Sequence, residues 1–120
     1  MAFIALHAID ARYFLVKLLG EAIESPFKKS LENVNSIDEL VKYPKLGAIL
    51  SSWSKISALL KKRFSTVTED ALMQDSPQPF PVEDKSLLGG IAFLLEHESF
   101  HIGQLALIRK YLGYDPMGYT

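Results

Sequence analysis

Between Leu87 and Leu112 the apolar residues return every three or four positions, and the stripe they trace runs Leu87, Ile91, Leu94, His97, His101, Leu105, Ile108, Leu112. Only a long α-helix gathers that spacing onto one face, and a face of that length has to be buried against other helices. His97 and His101 fall inside the stripe, so the expected core seam carries polar rings. Asp84 and Ser86 are competent N-caps for this helix. Arg109 and Lys110 suit the negative end of its dipole, and Gly113 is a stop.

Two earlier segments carry the same period. From Ala2 to Leu19, the positions Phe3, His7, Phe14 and Leu18 share a face, with Ile4, Ala8, Ala11 and Leu15 beside it and Gly20 as the C-terminal cap. A helix that apolar is expected to be covered on more than one side. A second helix is expected from Pro44, through Leu46, Ile49, Trp53, Ile56, Leu60 and Phe64, with serines and lysines on its other sides. Trp53 reads as a packing residue. Residues 21–43 read as a connection across the end of a bundle, with a start signal at Ser25-Pro26 and a capping box at Ser36-Ile37-Asp38-Glu39. A further capping box, Thr66 to Glu69, predicts a short turn through Leu72. The run Ser76-Pro77-Gln78-Pro79-Phe80-Pro81 must be extended, because each proline disfavours helix in the residue before it, and it reads as a stiff inter-helix connection. No strand pattern, repeat or low-complexity segment is present. The reading is all-α, a single helical domain over residues 1–120.

Composition narrows the function. At 120 residues with 48% apolar content the chain suits one domain with a real core. A net charge of −1 gives no electrostatic footprint for nucleic acid. Asp10, Arg12 and Lys17 interrupt the apolar start, which argues against a membrane span, and a signal-peptide pattern is lacking; the expected compartment is cytoplasmic. The absence of cysteine removes disulfides, thiolate metal ligands and a cysteine nucleophile, which leaves the three histidines, His7, His97 and His101, as the chemistry-bearing residues.

His97 and His101 stand at i and i+4, which places their Cβ atoms about 6 Å apart on one helix face. Two imidazoles so placed can converge on one divalent metal at about 2.0–2.1 Å per bond. Burying them with no partner would leave polar atoms unsatisfied. His7 is the remaining ligand of this kind, and three histidines would make a charge-neutral facial site with open positions. The same residues spell H-E-x-x-H, with Glu98 as a candidate general base. A zinc protease needs a third ligand downstream, and Gln104 and Leu107 stand where the longer motif wants Gly and His.

The segment from His97 through Gln104 to Gly113, with its H-x-x-x-H-x-G-Q-L core, resembles the last helix of the DinB/YfiT-like superfamily. Leu6 to Leu15 is similar to that family's second-helix histidine segment, and Phe80-Pro81-Val82 with Asp84-Lys85-Ser86 fits its connection. The resemblance implies an up-down-down-up four-helix bundle, a divalent metal (nickel, zinc or iron) held by His7, His97 and His101, and a homodimer. Relatives include metal-dependent transferases of bacillithiol, mycothiol or glutathione. The chain departs from the pattern in starting almost at the His7 segment. Three long helices are therefore expected, with the seam of the fourth open or covered by a partner chain, and so a dimer or larger assembly.

A metal on three neutral histidines keeps its charge. It would promote ionisation of a bound thiol for attack on an electrophile, or of water for hydrolysis. Glu98 lies about 100° around the helix from His97, which favours a solvated or dimer-contact role over that of a base. Asp10 is a candidate either to orient His7 or to pair with a nearby base; Gln104 and Gly103 suit a buried hydrogen bond and helix packing; Gly89-Gly90 suits close helix approach. The alternative to an enzyme is a non-catalytic helical interaction module whose metal site is structural or vestigial.

Overall fold

The apolar positions of the first segment spread around its whole circumference, and the fold gives that helix the middle place. A computed structural model describes residues 1–34, 36, 39, 40 and 42–118. Among these it shows five helices and no strand: α1 (Ala2–Leu18), α2 (Lys28–Leu31), α3 (Leu46–Phe64), α4 (Glu69–Met73) and α5 (Leu87–Tyr111). None is long and apolar enough to cross a membrane.

Helix α1 packs against α3 on one side and α5 on another. Leu6, Ala8, Ile9, Tyr13, Leu15 and Val16 are all buried along it, which a one-sided amphipathic helix could not achieve. Ile49, Ile56 and Leu60 close on it from α3, and Leu87 and Leu94 from α5. The side-chain pairs fix the directions. Tyr13 meets Ser52, Arg12 meets Ser57 and Arg63 reaches the Leu19 carbonyl, so α1 and α3 run parallel. His7 meets His97 and Arg12 meets Glu98, while Phe14 packs on Phe80 ahead of α5, so α5 runs antiparallel to α1.

The local signals act much as their chemistry requires. Ser86 Oγ accepts from the Gly89 N–H at 3.1 Å and caps α5, and Asp84 Oδ1 accepts from the Ser86 N–H at 2.9 Å. Gly20 and Gly113 follow the ends of α1 and α5 with φ of +93° and +83°, a conformation glycine adopts without cost. The cap of α4 is Thr68, which accepts from the Ala71 N–H, and not Thr66, whose hydroxyl is spent on the last carbonyls of α3. Helix α3 begins two residues after Pro44, with Lys45 as its cap. The capping box expected at 36–39 includes Ile37 and Asp38, which lie outside the described residues.

The proline-rich connection packs down onto α5. The Ser76 N–H donates to the Lys85 carbonyl, and the Leu87 N–H to the Gln74 carbonyl, pinning both its ends. Phe80 lies between α1 and α5, against Phe14 and Phe93. Gly89 and Gly90, in the first turn of α5, serve this contact and not a helix crossing: a Cβ on Gly90 would fall 2.6 Å from the Phe80 ring, and one on Gly89 would fall 2.3 Å from the Asp84 carbonyl oxygen.

Above α1, between α3 and α5, lies a groove of about 480 Å³ walled by Leu15, Leu60, Phe64, Ile91, Leu94 and Leu95. Leu46 and Leu50 stand on the same stripe of α3 as Leu60 and Phe64, and both are exposed.

Alanine is the better helix former by about 1 kcal/mol, yet Gly89→Ala should destabilise the protein by about 2 kcal/mol, because the new methyl meets a backbone oxygen that cannot rotate away. A urea unfolding curve measures it, and a midpoint at or above that of the wild type contradicts the packing described.

Candidate metal centre

The antiparallel register of α1 and α5 brings His7 opposite the turn that carries His97 and His101. His97 Nε2 lies 3.2 Å from His7 Nε2 and 3.1 Å from His101 Nε2. One ligand atom from each of the three rings lies within 4.8 Å of the others, and this is the group of histidines and acids among the described residues disposed to hold an ion. Three nitrogens on one cation at about 2.0–2.1 Å stand about 2.9–3.4 Å apart in octahedral or tetrahedral geometry, which the two spacings at His97 match.

Proton counting favours a cation in the centre. Gln104 Oε1 accepts from His101 Nδ1 at 2.7 Å, so with that amide orientation the His101 proton is on Nδ1 and Nε2 presents a lone pair. A neutral His97 has one ring proton to give. It cannot satisfy both neighbours from Nε2, and its Nδ1 is buried with no hydrogen-bond partner. Without an ion, the cluster forces lone pairs together or leaves a buried nitrogen unpaired, and both cost free energy. A cation among three Nε2 lone pairs removes the first conflict.

Aromatic rings hold the cluster. Phe3 stacks parallel to His7, Phe93 lies nearly parallel to His97 at 6.5 Å, and Phe100 sets its edge on His101 at 5.4 Å. This apolar setting lowers the pKa of His7 and of His97 below 6.5, chiefly by burial, with the neighbouring His101 pushing each further down. His97 adds to the lowering at His7, and Asp10 and Glu98 pull back on His7 and His97 respectively. Asp10 makes no hydrogen bond to His7, and its influence on that ring is through charge. The net result keeps the two rings neutral near pH 7, the state a metal ligand needs.

Glu98, the base suggested by the H-E-x-x-H spelling, is committed elsewhere. Its two oxygens accept from Arg12 Nε and Nη2 at 2.7 and 2.6 Å, a fork-to-fork pair whose side chains are 18% and 17% exposed. Arg12 also donates to Ser57 Oγ, and its guanidinium lies 3.6 Å above the Trp53 ring. Trp53 is thus core and cation platform together. In the sequence Arg12 stands out only as a charge that spoils a membrane span, and its part in this node has a positional signal alone. It follows His7 by five residues, as Glu98 follows His97 by one.

Two outcomes follow from this geometry. Arg12→Ala strands a largely buried carboxylate and should lower stability by about 2–3 kcal/mol, with Arg12→Lys in between because it keeps the charge and loses the fork. Equal midpoints for Arg12→Ala and the wild type in urea would contradict the node. The second outcome concerns pH. His7 and His97 hold protons less tightly folded than unfolded, so stability of the metal-free protein is fully present above about pH 6.5, falls as pH drops through it, and levels off below the depressed folded values. Unfolding midpoints at about pH 7.5 and 5.5 measure this, and His97→Phe should flatten the dependence.

Compared with models of known families, with curated proteins and with solved structures, the chain gives no match.

Proposed function

We propose that this chain is a divalent-metal protein, with His7, His97 and His101 as ligands to nickel, zinc or iron, and that it acts as a metal-dependent transferase of a small thiol to an electrophile or as a hydrolase. The observation that carries this reading is the convergence of three Nε2 atoms in a half-buried, aromatic-walled pocket where proton counting leaves them unsatisfied among themselves. The DinB/YfiT-like reading and its up-down-down-up path draw support from the parallel α1 and α3 with antiparallel α5, and from the open groove along the remaining seam.

When bound, the ion would supply a positive charge that favours the ionised form of a thiol or a water held beside it. The residues of the chain do the rest. The three imidazoles are neutral donors. Gln104 holds His101 in the tautomer that leaves Nε2 free, and Phe3, Phe93 and Phe100 flank the ligand rings. Glu98 does not serve as a base while both its oxygens are on Arg12. That commitment of Glu98 to Arg12 is what favours the second reading, a helical interaction module with a structural metal.

Metal analysis of untagged protein decides the first point. The wild type should carry about one divalent ion per chain, and His97→Ala and His101→Ala should each lose it. Content below about 0.2 per chain, unchanged by either substitution, removes the metal reading. Gln104→Leu should weaken zinc binding about tenfold or more in a calorimetric titration while Gln104→Glu, which still accepts from Nδ1, retains most of it. Thiol-transfer and hydrolysis assays on the loaded protein then separate an enzyme from a structural site.

A further inference from the structure

Helix α5 presents three faces. Leu87, Gly90, Leu94, His97 and His101 turn toward α1 and the connection packed beside it, and Ile91, Leu95 and Glu98 border the groove. The third face carries Glu96, Ser99, Phe100, Gly103, Leu107 and Lys110, and every one of these is exposed. Phe100 and Leu107 are 63% and 68% exposed, a high cost in water for two large apolar side chains on one rim.

We propose that this third face pairs with the same face of a second copy, the two α5 helices lying antiparallel about a two-fold axis at Gly103. The spacing is self-complementary. In an antiparallel pair centred on Gly103, each residue faces the one equally far on the other side of that centre. Glu96 and Lys110 each stand seven residues from Gly103, about 10.5 Å along the axis, so the carboxylate of one copy meets the ammonium of the other, twice. Phe100, three residues before Gly103, and Leu107, four after it, stand about 60° and 40° round the same way from it, so the Phe100 ring of one copy falls beside Leu107 of the other and apolar surface meets apolar surface on both sides of the centre. At the axis glycine faces glycine, and a Cβ added to Gly103 would meet nothing of its own chain within 4 Å, so the two backbones can come close.

The pattern runs 96, 100, 103, 107, 110, alternate steps of four and three, which is the period of a helix seam that packs on another helix. No residue of the stripe lines the groove, so a second copy seated here leaves the groove free. Phe100 also leans on His101, and burial of its outer side by the partner would fix that wall of the histidine cluster. The pairing itself does not rest on metal binding.

Sedimentation equilibrium on untagged, metal-free protein tests the proposal, with circular dichroism to check that each variant keeps its helix content. The wild type should be a dimer. Glu96→Lys alone and Lys110→Glu alone each set like charges face to face at two symmetric places, and each should weaken the dimer by about tenfold or more, while the double charge swap should return it to within about threefold of wild type. Leu107→Glu should give monomer. A wild type that stays monomeric at all accessible concentrations overturns the proposal. So do single reversals that leave dimerisation unchanged, or a dimer that only Leu95→Glu disrupts, which would put the partner in the groove.

Discussion

Among the described residues, the guanidinium of Arg12 is the one point where all three long helices meet through polar atoms. It rises from α1, forks onto Glu98 of α5, donates to Ser57 of α3 and lies on Trp53 of the same helix. A guanidinium has five donors in a rigid plane, so it can bind a carboxylate edge-on and present its face to an indole at once. The apolar contacts around α1 are non-directional and would tolerate a slide of one turn. The fork does not, because a slide of one turn, about 5.4 Å, breaks every bond it makes. It fixes the register of α1 on α5, and that register is what sets His7 against His97 and His101.

The same placement defines what the site can do. Glu98 is held beside the histidines but turned onto Arg12, while aromatic rings pack against the cluster. Such a pocket is good at keeping imidazoles neutral and poor at moving protons. Chemistry there would depend on the charge of a bound cation and on the groups a substrate brings with it.

The three long helices are legible in the sequence because their apolar periods are long and two of them stop at glycines, which the fold places at positive φ. The histidines are legible as a set, since an i,i+4 pair in an apolar stripe needs partners for its buried nitrogens and the chain holds one further histidine. What stays hidden has a common physical character. Gly89-Gly90 has the pattern of a helix crossing and is instead the seat of Phe80 and Asp84, whose approach depends on how a proline-rich connection folds back. Glu98 has the spacing of a free base and is held by Arg12, a partner 86 positions away that no local pattern announces. Thr66 and Thr68 offer equivalent caps, and the fold uses the one not already drawn to the end of α3. Local signals suffice where one element decides them, and fail where two elements compete.

The wide separation of the candidate ligands along the chain has a thermodynamic side. His7 and His97 are 90 residues apart, so an ion bound to both ties the first helix to the last and closes a loop of most of the molecule. The unfolded chain would have to surrender that much freedom to keep the same ligands, and the entropy of closure grows with the logarithm of loop length. Binding to the native state alone then adds stability in proportion to the logarithm of the free ion concentration over its dissociation constant. In a chain without a single disulfide, ion supply would set how long the two ends of the bundle stay together, and a change in metal availability would be felt as a change in the lifetime of the fold.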